Sequence, residues 1–150
     1  MPDPKFRHVR DLEWHEVRAQ QLGQKRLSVT DAWFEFTPDL LCAFSRWDPG
    51  VIVQKHGHNS PQAMLVLEGD MMCGDVHCTP GMHITLEMGA SFGPSIAGPR
   101  GVLLYEISFG DPRSWPADPE GFERLLAERG VTKLPNPEIP LPEWLEDTRN

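Results

Sequence analysis

The sequence predicts an all-β sandwich or barrel in which helix is a minor component. Short apolar segments with β-prone residues recur along the chain at close spacing, and a turn signal separates each segment from the next. Fifteen prolines and thirteen glycines among 150 residues supply those turns, because proline fixes φ and glycine accepts positive φ. A chain of this length is most simply one domain that buries the majority of its unfolded surface.

The first third of the chain is predicted to start as an extended arm and to continue into strands. Residues 1–23 form this arm, whose apolar side chains are spaced irregularly and leave room for one turn of helix. Residues 24–30 and 32–37 each predict a short strand. Residues 40–47 predict a stronger strand, since β-prone residues are enriched there.

The middle of the chain contributes four further strands. The predicted strands span residues 51–58, 63–67, 82–86 and 101–109. Glu68, Gly69 and Asp70 indicate a turn that closes the second of these strands. Gly74 and Asp75 indicate a tight hairpin turn with glycine in the first central position.

The last part of the chain, residues 111–150, predicts one short helix and a proline-rich tail. Asp118 is an N-cap residue, Pro119 suits the first helical position, and Gly130 is a stop signal. The prolines of the tail exclude regular structure. Its apolar residues nevertheless predict that it lies along the body of the domain or along a neighbouring subunit: Leu134, Ile139, Leu141, Trp144 and Leu145.

The stretch 50–69 carries the strongest candidate site. If 51–58 is a strand, His56 and His58 project from the same face, and two adjacent imidazoles can hold one metal ion. A turn after His58 then delivers Gln62 to the start of the next strand. The Gln62 amide oxygen is a candidate third ligand, and the alternative is a strand residue that only forms hydrogen bonds.

This stretch resembles the first motif of the cupins. Gly50, His56, His58 and Gly69 fall in register with that motif, and Gln62 stands where an acid is usual. The second cupin motif is degenerate here, with Glu87 in place of its proline, Phe92 in place of its histidine and Ile96 in place of its asparagine. The resemblance covers roughly residues 41–110.

The resemblance implies a jelly-roll barrel, the double-stranded β-helix, with its site inside the barrel mouth. The barrel core is expected over about residues 24–110. His56, His58 and Gln62 are the implied ligands of a divalent ion, which could be iron, zinc, nickel or manganese. Cupin barrels often pair through an outer sheet face, so a homodimer is also expected.

The pocket in front of this ligand set is predicted to include Phe92, Met64, His83 and Tyr105. Phe92 either leaves an open coordination position beside an apolar wall or fills the place of a ligand in a barrel without metal. His83 is a candidate replacement ligand because it begins the strand that leads to Phe92, and His77 is a second candidate. The alternative for His83 is a polar residue that forms hydrogen bonds at a strand start. Glu106 and Arg46 are further polar residues whose side of the sheet the sequence leaves open.

The expected function is that of a metal-dependent enzyme acting on a small oxygen-rich molecule. Two imidazoles and one amide are neutral, so a bound ion would keep its full charge and polarise a bound oxygen strongly. An anionic or enolisable substrate suits such a site. The alternative is a non-catalytic cupin that binds or senses a small ligand without metal.

Composition argues against several other classes of function. A formal net charge of −8 with no basic cluster argues against nucleic acid as a partner. No apolar run approaches the length of a membrane span. Three cysteines are too few for a disulfide framework, and the charged amino terminus lacks the apolar core of a signal peptide, so the cytoplasm is the expected compartment.

Overall fold

The computed structural model describes residues 1–149, whose strands form two antiparallel sheets around a main apolar core. The described residues comprise a short 3₁₀ helix (Val9–Asp11) and one α-helix, α1 (Pro119–Arg129). The strands are β1 (His15–Leu22), β2 (Lys25–Phe36), β3 (Leu41–Trp47), β4 (Ile52–Val53), β5 (His56–His58), β6 (Gln62–Cys73), β7 (Val76–Cys78), β8 (His83–Leu86), β9 (Ser91–Phe92), β10 (Ser95–Ser108), β11 (Ser114–Pro116) and β12 (Val131–Lys133).

The larger sheet has the strand order β12-β1-β2-β3-β10-β6-β7, with β4 paired to β10 and β8 paired to β6. The smaller sheet has the order β11-β5-β9. All of these pairs are antiparallel, and β10 lies between β3 and β6 along most of its length. The predicted all-β barrel with one short C-terminal helix is therefore confirmed.

The main core lies between the two sheets. Alternation along each strand directs every second side chain inward, so side chains of the larger sheet meet there, and Phe92 of the smaller sheet packs against them. The residues that are buried in this core are Val17, Leu27, Val29, Trp47, Val51, Met64, Val66, Met71, Cys78, Ala97, Val102 and Leu104.

The amino-terminal arm was predicted wrongly at its end, because residues 15–22 form β1, a strand of the larger sheet. β1 pairs with β2 on one side and with β12 on the other, so the barrel begins before residue 24. The two short strands expected over 24–37 are one continuous strand, β2. The polar side chains of β1 obscured its pattern. Gln20 is 5% exposed because its amide donates to the Ile52 carbonyl (2.6 Å) and accepts from the Ile52 N–H (3.0 Å).

The turn predicted at residues 68–70 is also wrong, since β6 continues to Cys73. Gly69 has φ +68 and lies against Gly101, and the β6–β10 register shifts between Ala97 and Val102. A Cβ on Gly69 would lie 2.0 Å from the Gly101 carbonyl oxygen, so the close approach of the two strands requires glycine there. The glycine signal marks an irregularity within a long strand rather than its end.

The predictions for the hairpin turn and the helix are confirmed. Residues 74 and 75 join β6 to β7, with Cys73 opposite Val76. In α1, the Asp118 side chain accepts a hydrogen bond from the Gly121 N–H at 3.0 Å. Gly130 ends the helix with φ +66.

The proline-rich tail folds over the mouth of its own barrel. Ile139 packs against the main core, and the Trp144 ring meets the Phe36 ring edge to face, with centroids 5.8 Å apart. The Arg149 guanidinium donates to the backbone carbonyls of Val17 (2.8 Å) and Pro137 (2.7 Å). Residue 150 of the predicted tail lies outside the described residues.

The tail therefore takes the first of its two predicted places, along its own domain. The homodimer remains a prediction, and burial of the tail no longer argues for it. No helix within residues 1–149 has the length and apolar character needed to cross a membrane.

Candidate metal and substrate site

The candidate site is built around β5, the central strand of the smaller sheet. β5 contains His56, Gly57 and His58, and it pairs with β9 on one side and β11 on the other. A Cβ on Gly57 would lie 2.2 Å from the Trp115 ring and 2.4 Å from the Ala90 carbonyl oxygen. Only glycine fits between the two histidines, and both imidazoles then project from the opposite face, as the spacing predicted.

Backbone carbonyls hold both imidazoles in place. Nδ1 of His56 lies 2.7 Å from the Gln54 carbonyl oxygen, and Nδ1 of His58 lies 2.9 Å from the Pro112 carbonyl oxygen. A carbonyl oxygen only accepts, so each Nδ1 carries the proton and each Nε2 keeps its lone pair. A second hydrogen bond of this kind is what orients metal-ligating histidines. The two ring centroids are 5.0 Å apart.

Both imidazoles are neutral at neutral pH. Burial lowers the pKa of His56 to about 4, and the hydrogen bond to the Gln54 carbonyl only partly opposes that effect. Burial also lowers the pKa of His58. A neutral imidazole is the form that binds a metal ion, so no proton has to be displaced from either ring.

Gln62, the first residue of β6, places an amide oxygen in the same cavity. The residue is 5% exposed, and its Oε1 atom has no hydrogen-bond partner among the described residues. A buried carbonyl oxygen without a donor costs about 1–3 kcal/mol, which a ligand or ion would relieve. The residues thus fit a divalent ion that is held by two imidazole nitrogens and one amide oxygen.

Phe92 lies next to His56 in the smaller sheet. It pairs directly with His56 between β9 and β5, and the two ring centroids are 5.0 Å apart. Within residues 1–149, no three His, Cys, Asp or Glu side chains are grouped closely enough to hold a metal ion. A metal centre at this position therefore depends on the Gln62 amide as its third protein ligand.

The histidine pair opens into a cavity of about 220 Å³ inside the barrel mouth. Its walls are mainly apolar, and the C-terminal tail covers part of the opening. The predicted pocket residues Met64 and Phe92 line this cavity together with the three candidate ligands. Further side chains of the wall are Trp33, Phe36, Trp47, Val53, Ile139, Leu141 and Leu145.

His83 and Tyr105, the other two predicted pocket residues, lie outside the cavity lining. His83 is exposed and pairs with Leu65, whose neighbour Met64 faces the cavity from the other side of β6. Cross-strand partners share a face, so His83 points away from the site. Tyr105 points outward as well, and its ring meets Phe44 edge to face at 5.7 Å.

Three charged residues of the cavity were assigned no place in the site by the sequence. Glu106 was recognised as a polar residue whose side of the sheet stayed open. Asp31 and Arg18 were not singled out at all. All three line the cavity from the larger sheet. Arg18 does so because the β1–β2 register shifts between Glu16 and Arg18, which turns both Val17 and Arg18 inward. A polar residue within an apolar strand was the available signal for Asp31 and Glu106.

The similarity of this chain to known proteins is structural. No protein-family model and no curated protein sequence matches the chain. Solved structures resemble it at low sequence identity. A putative acetylacetone dioxygenase from Methylibium petroleiphilum is 11% identical with a TM-score of 0.59, and the match covers 86% of this chain and 96% of that one.

Two further solved structures also resemble this chain at low sequence identity. KdgF from a Halomonas species is 20% identical with a TM-score of 0.53, and the match covers 73% of this chain and 95% of that chain. A cupin superfamily protein from Desulfitobacterium hafniense is 14% identical with a TM-score of 0.50, over 61% of this chain and 82% of that chain. Together with the two-sheet barrel, these similarities show that the chain has the double-stranded β-helix fold of the cupins.

Proposed function

We propose that the protein is a metal-dependent enzyme that acts on a small, oxygen-rich substrate, anionic or enolisable, inside the barrel. The proposal rests mainly on one arrangement. His56 and His58 each keep a free Nε2 lone pair, and the buried Gln62 oxygen beside them has no donor. Iron, zinc, nickel and manganese all accept imidazole and oxygen ligands.

A divalent ion held by these three residues would supply Lewis-acid polarisation of a substrate oxygen and a lowered pKa for bound water. The protein's own residues do the remaining work. Trp33 and Trp47 form apolar walls that exclude bulk water, which strengthens electrostatic interactions in the cavity. Phe92 closes the side beside His56 and leaves room for a ligand rather than a fourth protein donor.

Similarity to known enzymes adds limited support. Acetylacetone dioxygenases are among the proteins whose structures resemble this one, and an enolisable diketone is the kind of molecule that the cavity would accept. At 11% to 13% identity this likeness is one of fold. The proposed class of substrate therefore rests on the chemistry of the cavity residues.

Metal analysis of protein purified without an affinity tag tests the proposal. We expect close to one divalent ion per chain after growth with several metals. Calorimetric titration of the metal-free protein should show binding of zinc, nickel or manganese, and the double substitution His56→Ala with His58→Ala should abolish it. His83→Ala is the matched control, since His83 is exposed outside the cavity, and it should bind metal as the wild type does.

A second candidate function is supported by Phe92, which stands where the family's fourth ligand is expected. A barrel of this kind could bind a small molecule directly between the imidazoles and the apolar wall, without metal or catalysis. This ligand-binding function would be favoured if the protein were free of metal after every growth condition and bound no added ions. The same result would reject the metal-dependent enzyme.

A further inference from the structure

Two carboxyl groups of the larger sheet line the cavity that contains the histidine pair. Asp31 on β2 is paired with Ser45 on β3, which in turn is paired with Leu104 on β10. Glu106 follows Leu104 by two residues and therefore shares its face of the sheet. Asp31 and Glu106 thus flank β3 on the inner surface, and both line the cavity that contains His56 and His58.

The surroundings of the two carboxyl groups differ. Asp31 has the Arg18 guanidinium nearby and a hydrogen bond with the Ser45 side chain, and both favour its charged form. Glu106 has the negative charge of Asp31 nearby, which favours its protonated form. Burial raises the pKa of Asp31 to about 6, whereas burial and the nearby Asp31 raise the pKa of Glu106 to about 8.

At neutral pH this pair therefore holds one proton, on Glu106. The other ionisable groups that line the same cavity are Arg18 from β1, His56 and His58 from β5, Arg113 before β11, and Glu146, Asp147 and Arg149 from the tail. Arg113 and Arg149 are paired with Asp111 and Asp147, at 2.7 Å and 2.8 Å respectively. Each of these guanidinium groups thus has its own carboxylate partner outside the Asp31–Glu106 pair.

Independent observations indicate that a ligand completes this cavity. Gln62 is 95% buried (5% exposed), lines the cavity and has an Oε1 atom without a donor. Oδ1 of Asp31 is likewise buried without a hydrogen-bond partner among residues 1–149. Buried oxygen atoms of this kind are normally satisfied, so their partners must come from a molecule that enters the cavity.

We propose that Asp31 and Glu106 are the proton-transfer pair of this site, and that they act on an enolisable carbonyl compound bound in front of His56 and His58. The pair resolves into two roles because the Ser45 hydrogen bond and Arg18 favour the ionised form of Asp31, while Glu106 retains the proton. This inference rests on the proposed function for the place of the substrate, and it adds the substrate class and the groups that move the proton.

The proposed step balances within the pair and the substrate. The Asp31 carboxylate accepts a proton from the carbon next to the carbonyl group, and the electron pair of that C–H bond forms the carbon–carbon double bond as the carbonyl π electrons move onto oxygen. Glu106 donates its proton to that oxygen, which gives the neutral enol. The single proton of the pair has then moved from Glu106 to Asp31, and the reverse step restores the starting state. General acid–base catalysis of this type contributes about 10²–10⁴-fold to a rate.

The first test needs no substrate. Carboxyl carbon NMR of metal-free protein labelled at Asp and Glu should show one carboxyl group that titrates near pH 8 and disappears in Glu106→Gln. In that variant the Asp31 midpoint should stay near pH 6, because Glu106 is already neutral where Asp31 titrates. Tyr105→Phe is the matched control on the opposite face of the same strand and should leave both midpoints unchanged. Two carboxyl groups that both titrate below pH 5 would overturn the pair.

The second test measures proton transfer. Metal-loaded protein in D₂O is mixed with pyruvate, oxaloacetate or 2,4-pentanedione, and exchange of the hydrogen next to the carbonyl group is followed by proton NMR. We expect the wild type to accelerate exchange of at least one of these compounds. Glu106→Gln and Asp31→Asn should each lower that rate by about a hundredfold or more, while Tyr105→Phe retains it.

Three outcomes of the second test would overturn the proposal: no acceleration for any of the three compounds, full activity in Glu106→Gln, or full activity in Asp31→Asn. Metal affinity is measured on the same samples by calorimetry. Normal metal binding without exchange rejects the proton-transfer pair and leaves the metal-dependent function standing. Failure of the wild type to bind any metal rejects the proposed function, and the carboxyl titration then still decides whether the pair exists.

Discussion

Removal of the Glu106 carboxyl should change how the stability of the protein depends on pH. The pKa of Glu106 is about 8 in the folded protein against 4.5 for an ordinary glutamate. Between these values the folded state holds the proton that the unfolded state has lost, so the free energy of unfolding falls as pH rises. This stabilising contribution is complete below about pH 4.5 and is lost as pH rises through 8. The steepest slope is about 1.4 kcal/mol per pH unit for one proton.

Between pH 6.5 and 8, Glu106 is the main group whose shifted pKa changes the free energy of unfolding. The pKa of Asp31 is raised from 3.8 to about 6, so its similar effect is largely finished by pH 6.5. The pKa of His56 is lowered from 6.5 to about 4 and that of His58 is also lowered, so both histidines act with the opposite sign, mainly as pH falls below 6.5. Glu106 should therefore dominate a loss of about 1.5 kcal/mol over these 1.5 pH units, because it is half ionised at pH 8, and water entering the cavity would reduce the loss toward 1 kcal/mol.

Urea unfolding followed by tryptophan fluorescence measures this slope directly, on metal-free protein at pH 6.5, 7.2 and 8.0. We expect the wild type to lose between about 1 and 2 kcal/mol and Glu106→Gln to lose almost nothing, because a glutamine has no proton to release. Glu123→Gln, on an exposed position of α1, is the control and should keep the wild-type slope. An equal slope in wild type and Glu106→Gln would refute the buried, protonated state of Glu106.

Three other substitutions test the site and its cover. Phe92→His should tighten binding of zinc or nickel by about tenfold or more in calorimetry, because imidazole suits both ions; no gain would place residue 92 outside the coordination sphere. Gly57→Ala should lower the free energy of unfolding by about 3 kcal/mol, since the added methyl group meets the Trp115 ring and a backbone oxygen, and a fully stable variant would contradict that packing. Ile139→Ala should cost about 1–2 kcal/mol in urea unfolding, because this side chain packs on the main core from the tail. Ile139→Val is its milder control, and an unchanged midpoint for Ile139→Ala would show that the tail does not cover the barrel in solution.

The sequence was sufficient wherever a local rule determines a structure. The N-cap, the proline at the first helical position and the terminal glycine located α1 almost to the residue, because the chemistry of a helix end is contained within a few neighbours. The spacing of His56 and His58 placed both imidazoles on one face of a strand for the same reason. The family motif then brought Gln62 and Phe92 to the same place, and the structure puts both in the cavity with the histidines.

When a strand is buried on both faces, the alternation of apolar and polar residues does not show which side chains face the interior. In β10, Leu103 and Leu104 are both buried, so the pattern leaves open whether Tyr105 or Glu106 faces the interior. Tyr105 was chosen for the pocket, whereas the structure turns Glu106 inward. The choice depends on the contacts that β10 makes with β3 and β6, which are distant in sequence.

The charged side of the cavity was decided by the tertiary structure alone. Arg18 enters through a register shift that has no reliable local signature, and Asp31 gains its raised pKa from a cavity that exists only after the barrel closes. The position of the tail also depends on residues that are distant in sequence, since the Arg149 guanidinium donates to the Val17 carbonyl, 132 residues earlier in the chain. The sequence by itself determined the helix ends, the hairpin turn between β6 and β7, and the histidine pair, because each depends on near neighbours. Burial, the pairing of distant strands and the electrostatic field inside the cavity depend on the whole fold. These features decided which carboxyl groups line the cavity together with the histidine pair.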